Sequence, residues 1–330
     1  MEGRALRFVA RRRVELEAVD IRAPIDGELL VRTRWSGISG GTELLAYRGE
    51  LDADAPRDET IASLGGRFEY PFAYGYSCVG EVLTSHVEGV GEGATVFAFH
   101  PHQDLFTVTG ADVVRVEDVD ARVATLFPLV ETALQVALDA GPRLGEPLVV
   151  FGLGPVGIVS AALLQRAGAD VVGTDPRRDR REAARGFGIR AVDVSEIGEV
   201  VGEMTGGAGV ALVVDATGHP PALADALELL CHEGEVLVCS WYGTKEVSLP
   251  LGKAFHRRRI QIRSTQVSTI PARLAGRWDV RRRRQAAMEL LRQLPVKLLA
   301  THEVPFDRAH EAYAALDRGE AGMMHIELRY

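Results

Sequence analysis

The sequence predicts an α/β protein, a doubly wound parallel sheet covered by helices on both faces and joined to a β-rich part. Three observations carry that prediction. Between residues 148 and 264 short apolar strands alternate with helical segments, the pattern of a sheet buried on both sides. Residues 5 to 98 instead carry strand-like runs broken by clustered glycines, as in a compact β-domain. Finally, a run with three spaced glycines, residues 152 to 157, sits between an apolar strand and a helical pattern.

Taken in order, Ala5 to Val9, Val14 to Leu16 and Leu29 to Arg34 read as strands, with a turn at Pro24 to Gly27. Glycines at Ser36 to Thr42, Gly65 to Gly66 and Gly89 to Gly93 then separate short strands such as Gly80 to Leu83 and Ala94 to Ala98. From Thr125 the texture turns helical, with Leu126, Leu129, Val130, Ala133, Leu134, Ala137 and Leu138 on one stripe. Strand and helix then alternate: Leu148 to Phe151, Val156 to Ala167, Val171 to Thr174, Arg178 to Phe187, Ala211 to Val214 and Ala222 to Leu230. Strands Glu235 to Cys239 and Ile260 to Ser264 close the series. The tail offers a helix at Arg281 to Gln293, a strand near Leu298 to His302, a helix at Phe306 to Asp317 and a strand at His325 to Leu328.

Composition narrows the function classes. At 330 residues, two domains are expected. An apolar share of 46 % with 25 % charged residues is that of a globular protein. No apolar run approaches a membrane span and the N-terminus lacks the apolar core of a signal peptide, so a cytoplasmic enzyme without a membrane partner is the expectation. The net charge of −8 weighs against nucleic acid. Arg11 to Arg13, Arg257 to Arg259 and Arg281 to Arg284 read as solvated faces or ion pairs. Cys78, Cys231 and Cys239 fit neither a disulfide framework nor a zinc ribbon and read as buried small hydrophobes.

The chemistry centres on Gly152-Leu-Gly154-Pro155-Val156-Gly157. After a strand and before a helix this is a dinucleotide fingerprint: Gly152 turns the strand, Gly154 admits the pyrophosphate and Gly157 lets helix and strand close up. The helix N-terminus adds N–H donors and a positive dipole end for phosphate. Asp175 follows Gly157 by 18 residues at the end of the next strand, where a carboxylate accepts the adenosine ribose hydroxyls and repels a 2′-phosphate. NAD is therefore expected over NADP, although Arg177 and Arg178 offer a competing phosphate clamp; Arg180 is placed against the same ribose.

The whole chain resembles the medium-chain dehydrogenase/reductase, alcohol dehydrogenase-like superfamily. The likeness rests on Glu28-Leu-Leu-Val-Arg-Thr-Arg-Trp-Ser-Gly-Ile-Ser39, Gly41-Thr-Glu43, Tyr47-Arg-Gly49, Pro71-Phe-Ala-Tyr-Gly75, Gly80-Glu-Val82, Gly91, the fingerprint, Thr301-His-Glu-Val-Pro-Phe306 and Ala312 to Glu320. It implies a Rossmann domain, here 125–265, inside a discontinuous GroES-like β-barrel catalytic domain, 1–124 and 266–330, with substrate and nicotinamide meeting in the cleft. It also implies that Thr132 touches the nicotinamide, that Ala216 and Thr217 pass the ribose, and that Ser240 and Trp241 lie by the carboxamide. A homodimer through edge strands near Val247 to Ile262 is expected on the same ground.

The chain departs from the zinc-dependent members at two ligand positions. Where they carry GICGTD and GHE, it has Gly37-Ile-Ser39-Gly-Gly-Thr42-Glu43 and Gly75-Tyr76-Ser77, and hydroxyls are poor ligands for zinc. The pattern is most similar to a zinc-lacking group that includes bacteriochlorophyllide hydroxyethyl dehydrogenases. No zinc is expected; His100, His102, Glu43 and Glu131 are the alternative metal set. Without a Lewis acid, side-chain hydroxyls or acids must manage charge on the substrate oxygen. Tyr76 is the first candidate, then Ser39 and Thr42, with Glu43 either accepting a proton or holding the cleft together electrostatically. The acidic stretch Glu50 to Thr60 reads as a surface loop, or else a cover that shapes the pocket. These readings lead to a zinc-independent, NAD-dependent enzyme interconverting a secondary alcohol and a ketone. An enone or quinone reductase and a non-catalytic NAD-binding sensor are the alternatives.

Overall fold

In the computed structural model, residues 1–330 are described, the side chain of Ala62 excepted. The chain divides into two compact units, Leu129–Ala287 and a discontinuous one of Met1–Pro128 with Met288–Tyr330. The second crossing lies at 288, beyond the expected 266. Residues between those points are tied to the middle of the chain: Arg273 donates to the Asp139 carbonyl, and Arg283 to Glu131 and Gln135.

The middle unit is built on a six-stranded parallel sheet. Its order is Arg190–Val192, Asp170–Thr174, Pro147–Phe151, Val210–Asp215, Leu230–Val238 and Gln261–Ser264. Counted along the chain that is 3-2-1-4-5-6, the doubly wound order in which crossovers reverse direction between the first and fourth strands. The sequence dictates it locally. Val149, Val172, Val213 and Val236 are fully buried in neighbouring strands, where β-branched side chains suit a pleated surface covered on both faces. Helix Ile197–Thr205 and strand Arg190–Val192 were not anticipated. Gly198 and Gly202 blur the helical pattern, and three residues are too few to show an alternation.

The discontinuous unit carries two sheets. One pairs Arg13–Asp20, Glu2–Ala10 and Phe72–Ala73 antiparallel. The other is seven-stranded: Ala300–Pro305, His325–Arg329, Glu28–Ile38, Cys78–Ser85, Thr95–Ala98 and Val113–Arg115 in order, with Leu105–Thr109 also on Glu28–Ile38. The last strand thus lies against the third, pairing Leu328 with Ser36. An aromatic core fills this unit. Phe8 stacks on Phe72 at 5.3 Å and meets Tyr313 edge-on at 5.4 Å, geometries that add to area burial.

Three expectations are refined. Residues 50–60 form an irregular stretch in which only Leu51 is buried, while beyond it Leu64 and Phe68 are buried and Phe68 stands edge-on to Phe72 and Tyr74. Of the cysteines only Cys78 is buried, Cys231 and Cys239 being half-exposed. Among the arginine clusters, Arg283 takes the ion-pair alternative, buried against Glu131 at 3.0 Å.

Glu327 on the last strand is fully buried, 3.1 Å from Arg122. Burial outweighs that guanidinium and pushes its carboxyl up to about 7. An acid whose folded value is raised binds its proton more tightly when folded, so its contribution is full below the unfolded value and is lost as pH rises to 7. Glu327→Gln should therefore gain stability over the parent by on the order of 2 kcal/mol between pH 5 and 8, read from urea midpoints; a pH-independent difference would refute this.

Candidate functional site

In the middle unit, strand Pro147–Phe151 ends in Gly152, which adopts φ +87° as the chain turns into helix Pro155–Arg166. A side chain there would be strained, and a Cβ on Gly157 would stand 1.9 Å from the Gly152 carbonyl oxygen. That contact explains the glycine at 157. Gly154 differs: a Cβ there meets nothing within 4 Å. It borders open space at the N-terminus of a 12-residue helix that begins with Pro155 and Val156, at the point where the strand order reverses. Free space, donors and dipole coincide, which fits a dinucleotide pyrophosphate.

Asp175 stands just past strand Asp170–Thr174 and is 2 % exposed. Its carboxylate accepts the Leu153 N–H and the Arg177 N–H, both at 2.9 Å, so it also pins the glycine turn. Arg180 Nη1 lies 3.4 Å away, on the same carboxylate. The two arginines of the competing phosphate clamp are engaged elsewhere, Arg177 with Asp179 and Arg178 with Glu182, each at 2.7 Å.

On the neighbouring strand end Asp215 is fully buried and gathers two of the expected segments and one further residue. Thr217 Oγ1 donates to it at 2.6 Å, Tyr242 OH at 2.5 Å, and Ser240 Oγ donates to its carbonyl at 3.2 Å. The Ala216 N–H donates to the Phe151 carbonyl. Trp241 is 44 % exposed, and Thr132 is half-buried on helix Phe127–Ala140. Tyr242, which the sequence reading missed, has no spacing signal; it is found only by following Asp215.

In the discontinuous unit, Ser39 follows strand Glu28–Ile38 and Thr42 and Glu43 open helix Thr42–Arg48. Tyr76 precedes strand Cys78–Ser85, which pairs Cys78 with Ser36. That register brings Tyr76 OH to donate to Ser39 Oγ at 2.5 Å, with the Thr42 hydroxyl also bonded to the phenol. Burial pushes Tyr76 up to about 12, the Ser39 bond opposing and the Glu43 charge reinforcing. The phenol is therefore a standing donor at neutral pH.

Glu43 is fully buried. Its Oε1 accepts the Ser39 N–H at 2.8 Å, and its Oε2 accepts from Tyr313 OH and from His102 Nε2 at 3.0 Å. His102, Tyr313, Ser36 and Tyr330 complete a cluster that no local pattern announces, since Ser36 and Tyr330 lie 294 residues apart. The alternative metal set is not assembled. His102 pairs with Glu43, His100 stacks on Phe106 at 3.9 Å, and Glu131 is held by Arg283. Among the described residues no group of three or more His, Cys, Asp or Glu side chains converges as a metal ion requires. The hydroxyls at 39 and 76 do not fit a catalytic zinc.

The zinc-binding dehydrogenase family matches residues 155–280. D-guloside 3-dehydrogenase of Escherichia coli K12 is 25 % identical over 292 residues, covering 82 % of this chain and 83 % of that protein. The solved structure of 2R,3R-butanediol dehydrogenase from Bacillus subtilis superposes with a TM-score of 0.80 at 20 % identity, covering 99 % of each chain. The chain is thus similar to zinc-binding and polyol dehydrogenases of the medium-chain, alcohol dehydrogenase-like type. Its relatives are named dehydrogenases, and this dehydrogenase is an oxidoreductase. An E. coli CFT073 dehydrogenase complexed with NADH has a TM-score of 0.79 at 17 % identity, covering 100 % of this chain and 99 % of that one. A Sinorhizobium meliloti dehydrogenase bound to NADP has 0.77 at 17 % identity, covering 100 % of each chain. For the dehydrogenase itself, no helix is long and apolar enough to cross a membrane among the described residues.

Proposed function

We propose that the dehydrogenase interconverts a secondary alcohol and a ketone with NAD(H) and without zinc. The observation that carries this reading is the Tyr76–Ser39 hydroxyl pair at 2.5 Å, standing where zinc-dependent relatives carry two metal ligands. When bound, the nicotinamide supplies or takes up the hydride. Gly152, Gly154, Pro155, Val156 and Gly157 would hold its pyrophosphate, Asp175 and Arg180 the adenosine ribose, and Thr132, Ala216, Thr217, Ser240 and Trp241 its remaining flank.

The hydroxyl pair manages the oxygen. Because Tyr76 donates to Ser39 Oγ, the Ser39 proton is turned to another acceptor, the substrate oxygen. In reduction Ser39 gives that proton to the developing alkoxide, Tyr76 gives its own to Ser39, and solvent restores the half-buried phenol; oxidation runs the transfers backwards. Thr42 keeps the phenol oriented. One fixed donor aimed at developing negative charge, with a second donor behind it, acts as an oxyanion-hole donor does. The names of the superfamily relatives, a guloside and a butanediol dehydrogenase, favour a small polyhydroxy or glycosidic substrate. Ser39 with Tyr76 also aligns the chain with the zinc-lacking subgroup, and the exposed edge strand Gln261–Ser264 is the surface proposed for a homodimer.

The buried Asp175 carboxylate supports NAD over NADP, as does the pairing of Arg177 and Arg178 with acids of their own helix. Asp175→Ser should lower kcat/KM with NADH about tenfold, the worth of a charged hydrogen bond, while raising that with NADPH. An unchanged cofactor ratio would remove Asp175 from the ribose site. The function itself is tested with a panel of polyols, glycosides, secondary alcohols, ketones and enones followed at the NADH absorbance. Turnover of the alcohols and ketones is expected; turnover of enones alone would replace carbonyl by C=C chemistry.

A further inference from the structure

Behind the hydroxyl pair lies a second constellation. Ser36 Oγ is 2.7 Å from His102 Nδ1, and His102 Nε2 is 3.0 Å from Glu43 Oε2. The sequence serine, histidine, carboxylate is that of nucleophilic hydrolases. Here, however, all three side chains are fully buried, and Ser36 Oγ is already bonded to Tyr330 OH at 2.9 Å. No substrate reaches this serine, so the cluster can act only through what it touches.

What it touches is Ser39. Glu43 accepts three donors from three parts of the chain: the Ser39 main-chain N–H, the Tyr313 phenol on helix Ala309–Arg318 and the His102 imidazole. Since a carboxylate oxygen only accepts, His102 holds its proton on Nε2 and offers Nδ1 to Ser36. The pair is isolated from water, where a hydrogen bond is stronger and a missing donor costs more. Tyr74, Tyr76, Cys78, Tyr313 and Tyr330 are the titratable groups that feel the Glu43 charge, and all of them are neutral acids. His102 is thus the one base in the cluster.

We propose that His102 is a positioning residue for the reaction read above, on which this inference rests: it fixes Glu43, Glu43 fixes the Ser39 main chain, and the Ser39 hydroxyl is thereby held between Tyr76 and the substrate oxygen. The arrangement replaces a metal's rigidity with a buried hydrogen-bond lattice. It matters because an ångström of misplacement at a reacting group costs about 100-fold in rate.

His102→Leu keeps an apolar fit but removes the donor, whereas His102→Gln restores an N–H at similar reach. Expected are a fall in kcat of about 30- to 100-fold in His102→Leu, with KM and the NADH dissociation constant each within about threefold, and recovery to within about fivefold in His102→Gln. Tyr313→Phe, which conserves shape if the leucine variant fails to fold, should lower kcat about fivefold at unchanged KM. Wild-type kcat in His102→Leu or Tyr313→Phe, or equal losses in the leucine and glutamine variants, would overturn the proposal. The functional reading fails separately, when wild-type protein turns over no alcohol or ketone. Imidazole 15N spectra then decide the inference alone: a His102 proton on Nε2 upholds it and a proton on Nδ1 overturns it.

Discussion

Gly154→Val is expected to leave the fold intact and to weaken NADH binding at least about 100-fold. The two halves of that result have separate causes. A Cβ at 154 meets nothing within 4 Å, so a side chain enters open space there and the melting temperature should hold. The free space they enter is the space the pyrophosphate needs beside the N–H donors of helix Pro155–Arg166. Losing two or more charge-assisted hydrogen bonds, each worth about 1.5 to 3 kcal/mol, gives the stated factor. Gly157 makes the control, because a Cβ 1.9 Å from the Gly152 oxygen forces the turn itself to shift, and Gly157→Val should lose stability together with binding. Fluorescence titration with NADH reads the first variant, and unaltered affinity would remove the glycine turn from the cofactor site.

The second large effect is expected at Ser39. Ser39→Ala should lower kcat by about 10²- to 10³-fold, the loss seen when a single oxyanion donor is deleted, while NADH affinity stays unchanged. The backbone N–H that Glu43 accepts survives the substitution, so the buried cluster is retained and the loss isolates the hydroxyl. Tyr76 remains in the variant but has no relay to the substrate. Activity within a few-fold of the parent would show that Tyr76 or Thr42 reaches the oxygen directly.

The nucleotide half of this account was legible in the sequence because its determinants are local. A strand, a three-glycine turn and a helix occupy residues 147 to 166, and one further strand carries Asp175; each step follows from short-range sterics. The hydroxyl pair was legible only as a departure from a superfamily pattern, since Ser39 and Tyr76 meet through antiparallel pairing 37 residues apart. The support behind them was not legible at all. Tyr330 reaches Ser36 because the last strand lies against Glu28–Ile38, and Tyr313 reaches Glu43 from a helix 270 residues later in the chain. No periodicity encodes such contacts.

Helix Thr42–Arg48 was also hidden, its start merging with a glycine-rich run that reads as loop. The segment after it reads more directly. Its charges are surface-like and residues 50–60 stay largely exposed around one buried anchor, Leu51, whereas Leu64 and Phe68 just beyond are buried. At Arg283 the cluster pattern left solvent and ion pair open, and Glu131, 152 residues away in the chain, makes it an ion pair.

The central claim is that two hydroxyls do the work of a metal. It is tested most directly by measuring NADH-linked turnover of the best alcohol or ketone substrate before and after exhaustive dialysis against a strong zinc chelator, with the metal content of both samples determined. The account predicts equal kcat in the two samples and no stoichiometric zinc in either. A turnover lost on dialysis and restored by one equivalent of zinc would contradict it.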